Sequence, residues 1–128
     1  DSRVDEVLEM VELKDAAGKR MKNYSLGMKQ RLALAGAILG DPEILILDEP
    51  ANGLDPAGIA WLRKFLRKLA EGGRTILVSS HQLAEMQNTV DDVIIINKGK
   101  LIASGSMKEV IGDGSLEDAF LALTGGEL

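Results

Sequence analysis

The chain has 128 residues, 45% of them hydrophobic and 27% charged, which is the composition of a globular domain with its own core. It contains no cysteine, so disulfides and cysteine-rich zinc sites are excluded. Its net charge of −5 argues against a general nucleic-acid binder, because a phosphate backbone requires a basic face. No apolar run approaches the ~20 residues that cross a bilayer. The acidic N-terminus is not a secretory signal, and its start without methionine suggests a cut chain.

The first part of the chain predicts two helices. Apolar residues recur at helical spacing over residues 4–13, opposite acidic ones, which indicates a short amphipathic helix. A polar stretch with Gly18 and Asn23 separates it from a second helix, predicted from Ser25 to Leu39. The later turns of that helix, "LALAGAILG", are apolar nearly all round, so we expect it to be buried. Gly40 and Pro42 are expected to end it.

The remainder alternates strands with helices. "EILILDEP" is apolar on both faces, as in a central parallel strand, and "TILVSS" is a second strand. Residues 57–71 between them place five large apolar side chains on one face of a helix, and "QLAEMQNT" predicts a short helix. "VIIINKGKLIASG" predicts a hairpin, and two short helices follow, around 107–111 and 115–124. The fold class is therefore α/β, with parallel strands and an antiparallel hairpin.

Two carboxylates and the single histidine follow the two predicted parallel strands. Asp48 and Glu49 end the first strand, at the sheet edge where ligands bind in open α/β folds. Adjacent residues of an extended chain point to opposite sides, so one carboxylate could hold Mg²⁺ and the other could reach a nucleophile. The alternative is a pair of solvated carboxylates. His81 leaves the same end of the sheet, where it could donate to an anion, or it is simply a loop or packing histidine.

The octapeptide "YSLGMKQR", residues 24–31, enters the second helix with a serine and a glycine. Ser25 is a good N-cap, and Gly27 would let a ligand approach the backbone of a helix N-terminus that attracts phosphate. An ordinary serine cap is the alternative. Asn52 to Pro56 is most simply a turn into a helix, with Asp55 as N-cap and Pro56 at the first helical position.

Taken together and in this order, these segments resemble the C-terminal part of an ABC-type ATPase, the nucleotide-binding subunit of ATP-driven membrane transporters. "YSLGMKQR" lies where that family has its Leu-Ser-Gly-Gly-Gln signature, and "ILILDEP" looks like the Walker B strand. "ANGLDP" looks like the D-loop and "VSSHQLAE" like the H-switch. The hairpin and "SLEDAFLALTGG" resemble the end of ATPases paired with drug-export or ABC-2-type permeases.

The resemblance implies a partial P-loop NTPase core of the RecA-like type and a role for each matching residue. Asp48 would hold Mg²⁺ through water, Glu49 would be the general base, and His81 would contact the γ-phosphate. The remaining residues would act at ATP bound to an opposing subunit: Ser25, Gly27, Lys29, Gln30 and Asp55. Two such domains sandwich two ATP molecules, and their closure moves a transmembrane permease subunit.

The sequence departs from the family pattern at two signature positions and lacks one motif. Leu26 replaces the first signature glycine and Met28 the signature glutamine, so Leu26 could crowd the phosphate. No G-x-x-x-x-G-K-[ST] loop occurs among the 128 residues; in the family it lies N-terminal to the signature, on a strand inside the sheet. The expectation is a fragment without independent ATPase activity.

The expected division is residues 1–40 for the end of the helical subdomain, 41–106 for the core and 107–128 for a helical tail. The intact subunit is expected in the cytoplasm, attached to the inner face of the membrane through its permease, with no nucleic-acid partner. Two alternatives stay open: a soluble ABC-type ATPase of DNA maintenance or translation, and a non-catalytic dimerisation module acting on a partner's ATP. A basic face would favour the former.

Overall fold

Eleven helices and strands are assigned in a computed structural model, which describes residues 2–16, 18 and 25–125. The predicted polar stretch around Asn23 lies outside the described residues. In chain order the elements are α1 Ser2–Met10, a 3₁₀ helix Lys14–Ala16, α2 Leu26–Ile38, β1 Ile44–Asp48, α3 Pro56–Glu71, β2 Thr75–Ser79, α4 Leu83–Thr89, β3 Asp92–Asn97, β4 Lys100–Ser106, α5 Met107–Ile111 and α6 Leu116–Leu123. The chain forms two compact units, residues 1–79 and 80–128. The predicted division at residues 40 and 106 stays a prediction.

The first unit is built on a parallel strand pair joined by a helix. β1 and β2 pair in parallel, from Ile44 opposite Thr75 to Asp48 opposite Ser79, so both strands end at the same edge. Asp55 caps α3 by accepting from the Gly58 N–H at 2.8 Å, and Pro56 occupies the first turn, as predicted. The core contains apolar side chains from α1, α2, β1, α3 and their connections: Val7, Val11, Leu13, Leu34, Ala35, Ile38, Leu45, Ala51, Leu62, Phe65, Leu66 and Leu69, with Ile76 of β2 packed against them.

The second unit contains the predicted hairpin and three short helices. β3 and β4 are antiparallel, with a register shift between Ile95 and Ile96, and the turn uses positive φ at Lys98 and Gly99. Ser106 and Glu109 form a capping box at the start of α5: each accepts from the other's backbone N–H at 3.1 Å. The α/β class, with a parallel pair and an antiparallel hairpin, is confirmed.

Burial corrects two predictions. The α2 helix is not buried all round, because only Leu34, Ala35 and Ile38 are buried and its other apolar positions are largely alanine and glycine, which carry little area. Strand β1 is covered on one face only: Leu45 is 3% exposed, whereas Ile46 is 74% exposed. Among the described residues the sheet of β1 has two strands, and the core lies against one of its faces.

Two helix ends also differ from prediction. The first helix ends at Met10, and the next residues form a turn and the 3₁₀ helix, with Glu12 at φ +62°. The residue that takes the left-handed conformation after α2 is Asp41, at φ +53°, and not Gly40. The Asp41 N–H donates to the Ile38 carbonyl at 2.9 Å, so this residue closes the last turn of α2. Within the described ranges, no helix is long and apolar enough to cross a membrane.

Candidate functional site

The carboxyl ends of β1 and β2 bring Asp48 together with Ser79. The Ser79 hydroxyl donates to Asp48 Oδ1 at 2.6 Å, a length typical of a charge-assisted bond. The same hydroxyl accepts from the Glu49 backbone N–H at 2.9 Å. Parallel pairing places the two residues opposite each other, and the bond then holds one oxygen of an exposed carboxylate in a defined position.

Glu49 turns the chain sharply away from the strand. Its φ of +45° is left-handed, which is uncommon for a residue with a side chain, so the extended backbone expected at Glu49 was wrong. Its N–H donates to the Ser79 carbonyl at 3.1 Å as well as to the hydroxyl, and its own carbonyl accepts from the Asn52 N–H at 3.1 Å. These bonds fix the Glu49 backbone against the end of β2, and the separate roles predicted for Asp48 and Glu49 stay predictions.

The N-terminus of α2 has the local structure of an anion site. Ser25 is the N-cap, its hydroxyl accepting from the Met28 N–H at 3.1 Å and its carbonyl from the Lys29 N–H at 3.0 Å. Within the described part of the chain, the N–H groups of Leu26 and Gly27 have no acceptor. Among the described residues, a Cβ at Gly27 would meet nothing closer than 4.0 Å, so packing against them does not explain the glycine.

A cleft of about 380 Å³ separates the first turn of α2 from the loop that leads into α3. It brings together four of the residues singled out by sequence: Ser25, Gly27, Gln30 and Asp55. Met28, Arg31, Pro50, Gly53 and Trp61 also line it, so its walls are mixed in polarity. The first turn of α2 and the loop before α3 therefore face one another within the first unit.

Gln30 and Lys29 have different surroundings in that first turn. The Gln30 amide donates to the Asn52 carbonyl at 2.9 Å, so its side chain contacts the loop before α3. Lys29 is exposed, and its backbone N–H makes the capping bond to Ser25. The contacts predicted between these two side chains and nucleotide stay predictions.

His81 belongs to the second unit, two residues after the end of β2. It is exposed and precedes α4, and beside it the Ser80 hydroxyl accepts from the Gln82 N–H at 2.9 Å. Its predicted contact with a γ-phosphate stays a prediction.

Sequence reasoning missed Ser79 and Trp61. Ser79 matters only because strand register places it opposite Asp48, although its position at the end of a predicted strand was a usable signal. The Arg31 guanidinium lies 4.6 Å from the centroid of the Trp61 ring, which stacks on Phe65 with centroids 4.9 Å apart. These contacts form one wall of the cleft and link α2 to α3.

The donor set fits a hydrated Mg²⁺ better than a fully caged metal. Among the described residues, no three acidic, histidine or cysteine side chains gather into a metal-binding group. Asp48 supplies one carboxylate whose second oxygen is not bonded to Ser79. Mg²⁺ commonly keeps several waters and takes one or two carboxylates, with phosphate oxygens completing its shell.

Comparisons with known proteins agree with this geometry. Residues 1–87 match the family described as "AAA domain, putative AbiEii toxin, Type IV TA system". An ABC transporter ATP-binding protein of Bacillus subtilis, YhcH, is 52% identical over 108 residues, 84% of this chain and 35% of that protein. The bacitracin transport ATP-binding protein BcrA of Enterococcus faecalis is 47% identical over 110 residues, 85% of this chain and 36% of that protein.

Solved structures extend the likeness to three dimensions. CbiO1 of Clostridium perfringens, part of an ABC transporter complex, superposes with a TM-score of 0.76 at 35% identity, over 85% of this chain and 44% of that one. An ATP-binding subunit of an ABC transporter gives a TM-score of 0.83 at 29% identity, over 96% of this chain and 53% of that one. The chain thus spans about a third of the first curated relatives, at 35% and 36% of their lengths. The chain belongs to the AAA-domain family whose model matches residues 1–87, and its homologues are ABC transporter ATP-binding proteins.

Proposed function

We propose that these residues are part of the ATP-hydrolysing subunit of an ABC membrane transporter. The observation that carries the proposal is the end of β1, where the Ser79 hydroxyl donates to Asp48 and the left-handed backbone at Glu49 turns the chain out of the strand. Relatives named for bacitracin and lantibiotic transport support transport over DNA maintenance or translation. Two neighbouring carboxylates with separate roles are what hydrolysis of a phosphoanhydride by water requires.

Asp48 is the residue that would hold Mg²⁺, through water, with Ser79 fixing its orientation. The ion would neutralise charge on the phosphate oxygens of ATP. The hydroxyl bond occupies one carboxylate oxygen and so limits rotation of the side chain. An oriented carboxylate loses less conformational freedom when it receives a hydrated cation.

Glu49 is the proposed general base, which takes a proton from the attacking water. Its backbone is anchored twice to Ser79, so the start of the side chain is fixed relative to Asp48. His81, which follows the end of β2, is proposed to donate a hydrogen bond to the γ-phosphate. General bases act at hydrogen-bond distance from the proton that they remove, and a fixed backbone favours that geometry.

Ser25, Gly27, Lys29, Gln30 and Asp55 are proposed to act across a dimer of nucleotide-binding domains. The N–H groups of Leu26 and Gly27, with the open space at Gly27, suit the γ-phosphate of ATP held by the opposing domain. Asp55 would contact the same interface from the other wall of the cleft. Closure of this dimer would move a transmembrane permease, which places the subunit at the cytoplasmic face of a membrane.

The test compares Glu49→Gln with Glu43→Gln in the complete subunit. Glu43 is an exposed residue just before the opposite end of β1, so its variant controls for loss of a carboxylate near the same strand. We expect Glu49→Gln to bind Mg-ATP and to lower kcat by at least about a hundredfold, as for removal of a general base. Glu43→Gln should turn over as the unmodified subunit does.

The 128-residue chain alone should show no steady ATP turnover, since the sequence carries no phosphate loop with its lysine and hydroxyl. Phosphate release that is measured from the purified chain and lost in Glu49→Gln would contradict this expectation. Equal turnover of the two complete-subunit variants would instead contradict the role of Glu49.

A further inference from the structure

The loop that precedes α3 is held against the first turn of α2 by two side chains. Gln30 donates its amide N–H to the Asn52 carbonyl at 2.9 Å. Leu26 lies over the next residue: a methyl group added at Gly53 would come within 2.5 Å of Leu26 Cδ2. The two contacts fall on consecutive residues of the loop and come from positions four apart on α2, which share one helix face.

At Gly53 the Leu26 side chain closes the space between the two segments, beside the cleft that both of them line. Gly53 has φ +81°, a conformation that side chains rarely adopt, and the leucine fills the space where a side chain would stand. Leu26 is otherwise 53% exposed, so the core does not explain its position at the start of the helix. Its contact with the loop does.

The segment contacted by Leu26 and Gln30 leads directly into a residue of the proposed site. The Leu54 N–H donates to the Ala51 carbonyl at 3.1 Å, and Asp55 follows as the cap of α3. Any shift of residues 52–54 along α2 would therefore move Asp55 relative to Ser25. Both line the cleft where the proposed function places nucleotide from an opposing domain.

We propose that Leu26 and Gln30 are positioning residues, a clamp that holds the signature and the D-loop of this chain as one rigid surface. This inference rests on the proposed function for its effect on catalysis, whereas the clamp itself rests on the contacts. Leu26 stands where the family resemblance places a glycine, and glycine could not make the contact. Restoring that glycine should therefore impair this subunit, because it frees the loop.

The experiment uses the complete ATP-binding subunit with two pairs of variants. The first pair removes the contacts: Leu26→Gly removes the packing over Gly53, and Gln30→Met removes the N–H donor to Asn52. The second pair is the control: Leu26→Met keeps an apolar side chain, and Gln30→Lys keeps a donor. Amide hydrogen exchange of residues 51–55 is measured without nucleotide. Steady-state kcat and KM for Mg-ATP are then measured for every variant.

We expect the first pair to exchange about tenfold faster at the N–H groups of Asn52 and Leu54, and the second pair to exchange as the unmodified subunit does. For the first pair kcat should fall about tenfold with KM changed less than twofold, because the clamp would orient groups for the reaction without holding ATP in its phosphate loop. Unchanged exchange in Leu26→Gly and Gln30→Met would overturn the clamp, and so would a rise in KM at constant kcat.

The two readouts separate failure of this inference from failure of the proposed function. If the unmodified subunit shows no Glu49-dependent ATP turnover, the proposed function fails, yet the exchange rates still decide whether the clamp exists. If turnover is present and exchange is unchanged by the variants, only the clamp fails.

Discussion

Replacing Arg3 should loosen the C-terminal end of α2. The Arg3 guanidinium donates from Nε to the Leu39 carbonyl at 2.9 Å and from Nη2 to the Ile38 carbonyl at 2.6 Å. These carbonyls lie where a helix has no internal donors, and the positive charge faces the negative end of the helix dipole. In Arg3→Leu the carbonyls lose both bonds, and nothing in the new side chain replaces them.

The expected loss can be estimated from the two bonds. A hydrogen bond to a charged group contributes roughly 1.5–3 kcal/mol, and the charge at a helix end adds about 0.3–1 kcal/mol. Because the Arg3 side chain is 28% exposed, water replaces one of the two bonds in the variant, which leaves about 1.5 kcal/mol for bonding and about 0.5 kcal/mol for the charge. The free energy of unfolding should therefore fall by about 2 kcal/mol, and by about half of that in Arg3→Lys, which keeps the charge but loses the planar fork.

Urea unfolding followed by tryptophan fluorescence reports the unfolding of the compact unit that contains Arg3, residues 1–79. The chain has one tryptophan, Trp61, and it lies in the same unit as Arg3. With a slope of about 1–1.5 kcal/mol/M, the midpoint of Arg3→Leu should fall by roughly 1.5 M. Lys14→Met, which breaks an exposed ion pair with Glu9, should leave the midpoint unchanged. A midpoint for Arg3→Leu equal to that of Lys14→Met would refute the reasoning.

Three further changes test the site and the caps. In the complete subunit, Ser79→Ala should raise the Mg²⁺ concentration for half-maximal ATP turnover about fivefold, because Asp48 loses its orienting bond. Ser79→Thr keeps the hydroxyl and should leave that concentration unchanged. Equal half-maximal Mg²⁺ concentrations for Ser79→Ala and the unmodified subunit would contradict this. Asp55→Ala should lower the free energy of unfolding by about 1 kcal/mol in the same urea assay, and Asp55→Asn should recover most of it if capping is the cause. Hydrogen bonding to Ser106, first to its backbone N–H and then to its hydroxyl, holds the pKa of the Glu109 carboxyl below the ordinary value. The ionised Glu109 therefore stabilises the fold fully above the unfolded pKa of about 4.3, and this stabilisation is lost as pH falls through the lowered pKa. Glu109→Gln should abolish that pH dependence, and a pKa at or above the ordinary value in a carboxyl NMR titration would show the opposite.

The helices and caps could be predicted because their signals are local. Asp55 and Pro56 specify the start of α3 by side-chain bonding and a fixed φ, and the structure has both in place. The hairpin turn is equally local, since Lys98 and Gly99 take positive φ between two apolar strands. Such features depend on a few neighbouring residues, so tertiary contacts had little to change.

The roles of Ser79 and Leu26 depend on which segments meet in space, so the sequence alone did not define them. Strand register alone brings Ser79 to Asp48, and the sequence does not state the register. The sequence indicated that Leu26 could crowd a phosphate, which stays a prediction, and it gave no sign of the contact between Leu26 and Gly53. For α2, counting alanine and glycine as apolar overstated burial, since a small side chain remains compatible with an exposed face.

The left-handed backbone at Glu49 depends on hydrogen bonds to Ser79, which lies on the neighbouring strand. A left-handed non-glycine residue costs about 1–2 kcal/mol, and here the Glu49 N–H is satisfied by both the carbonyl and the hydroxyl of Ser79, which helps to offset that strain. Glutamine at position 49 keeps the same left-handed backbone and the same N–H bonds, so Glu49→Gln removes the negative charge and the ability to take a proton without changing the backbone. Glycine would relieve the strain and free the loop at the same time. A loss of turnover in Glu49→Gly would therefore mix geometry with chemistry, whereas the loss in Glu49→Gln isolates the carboxylate.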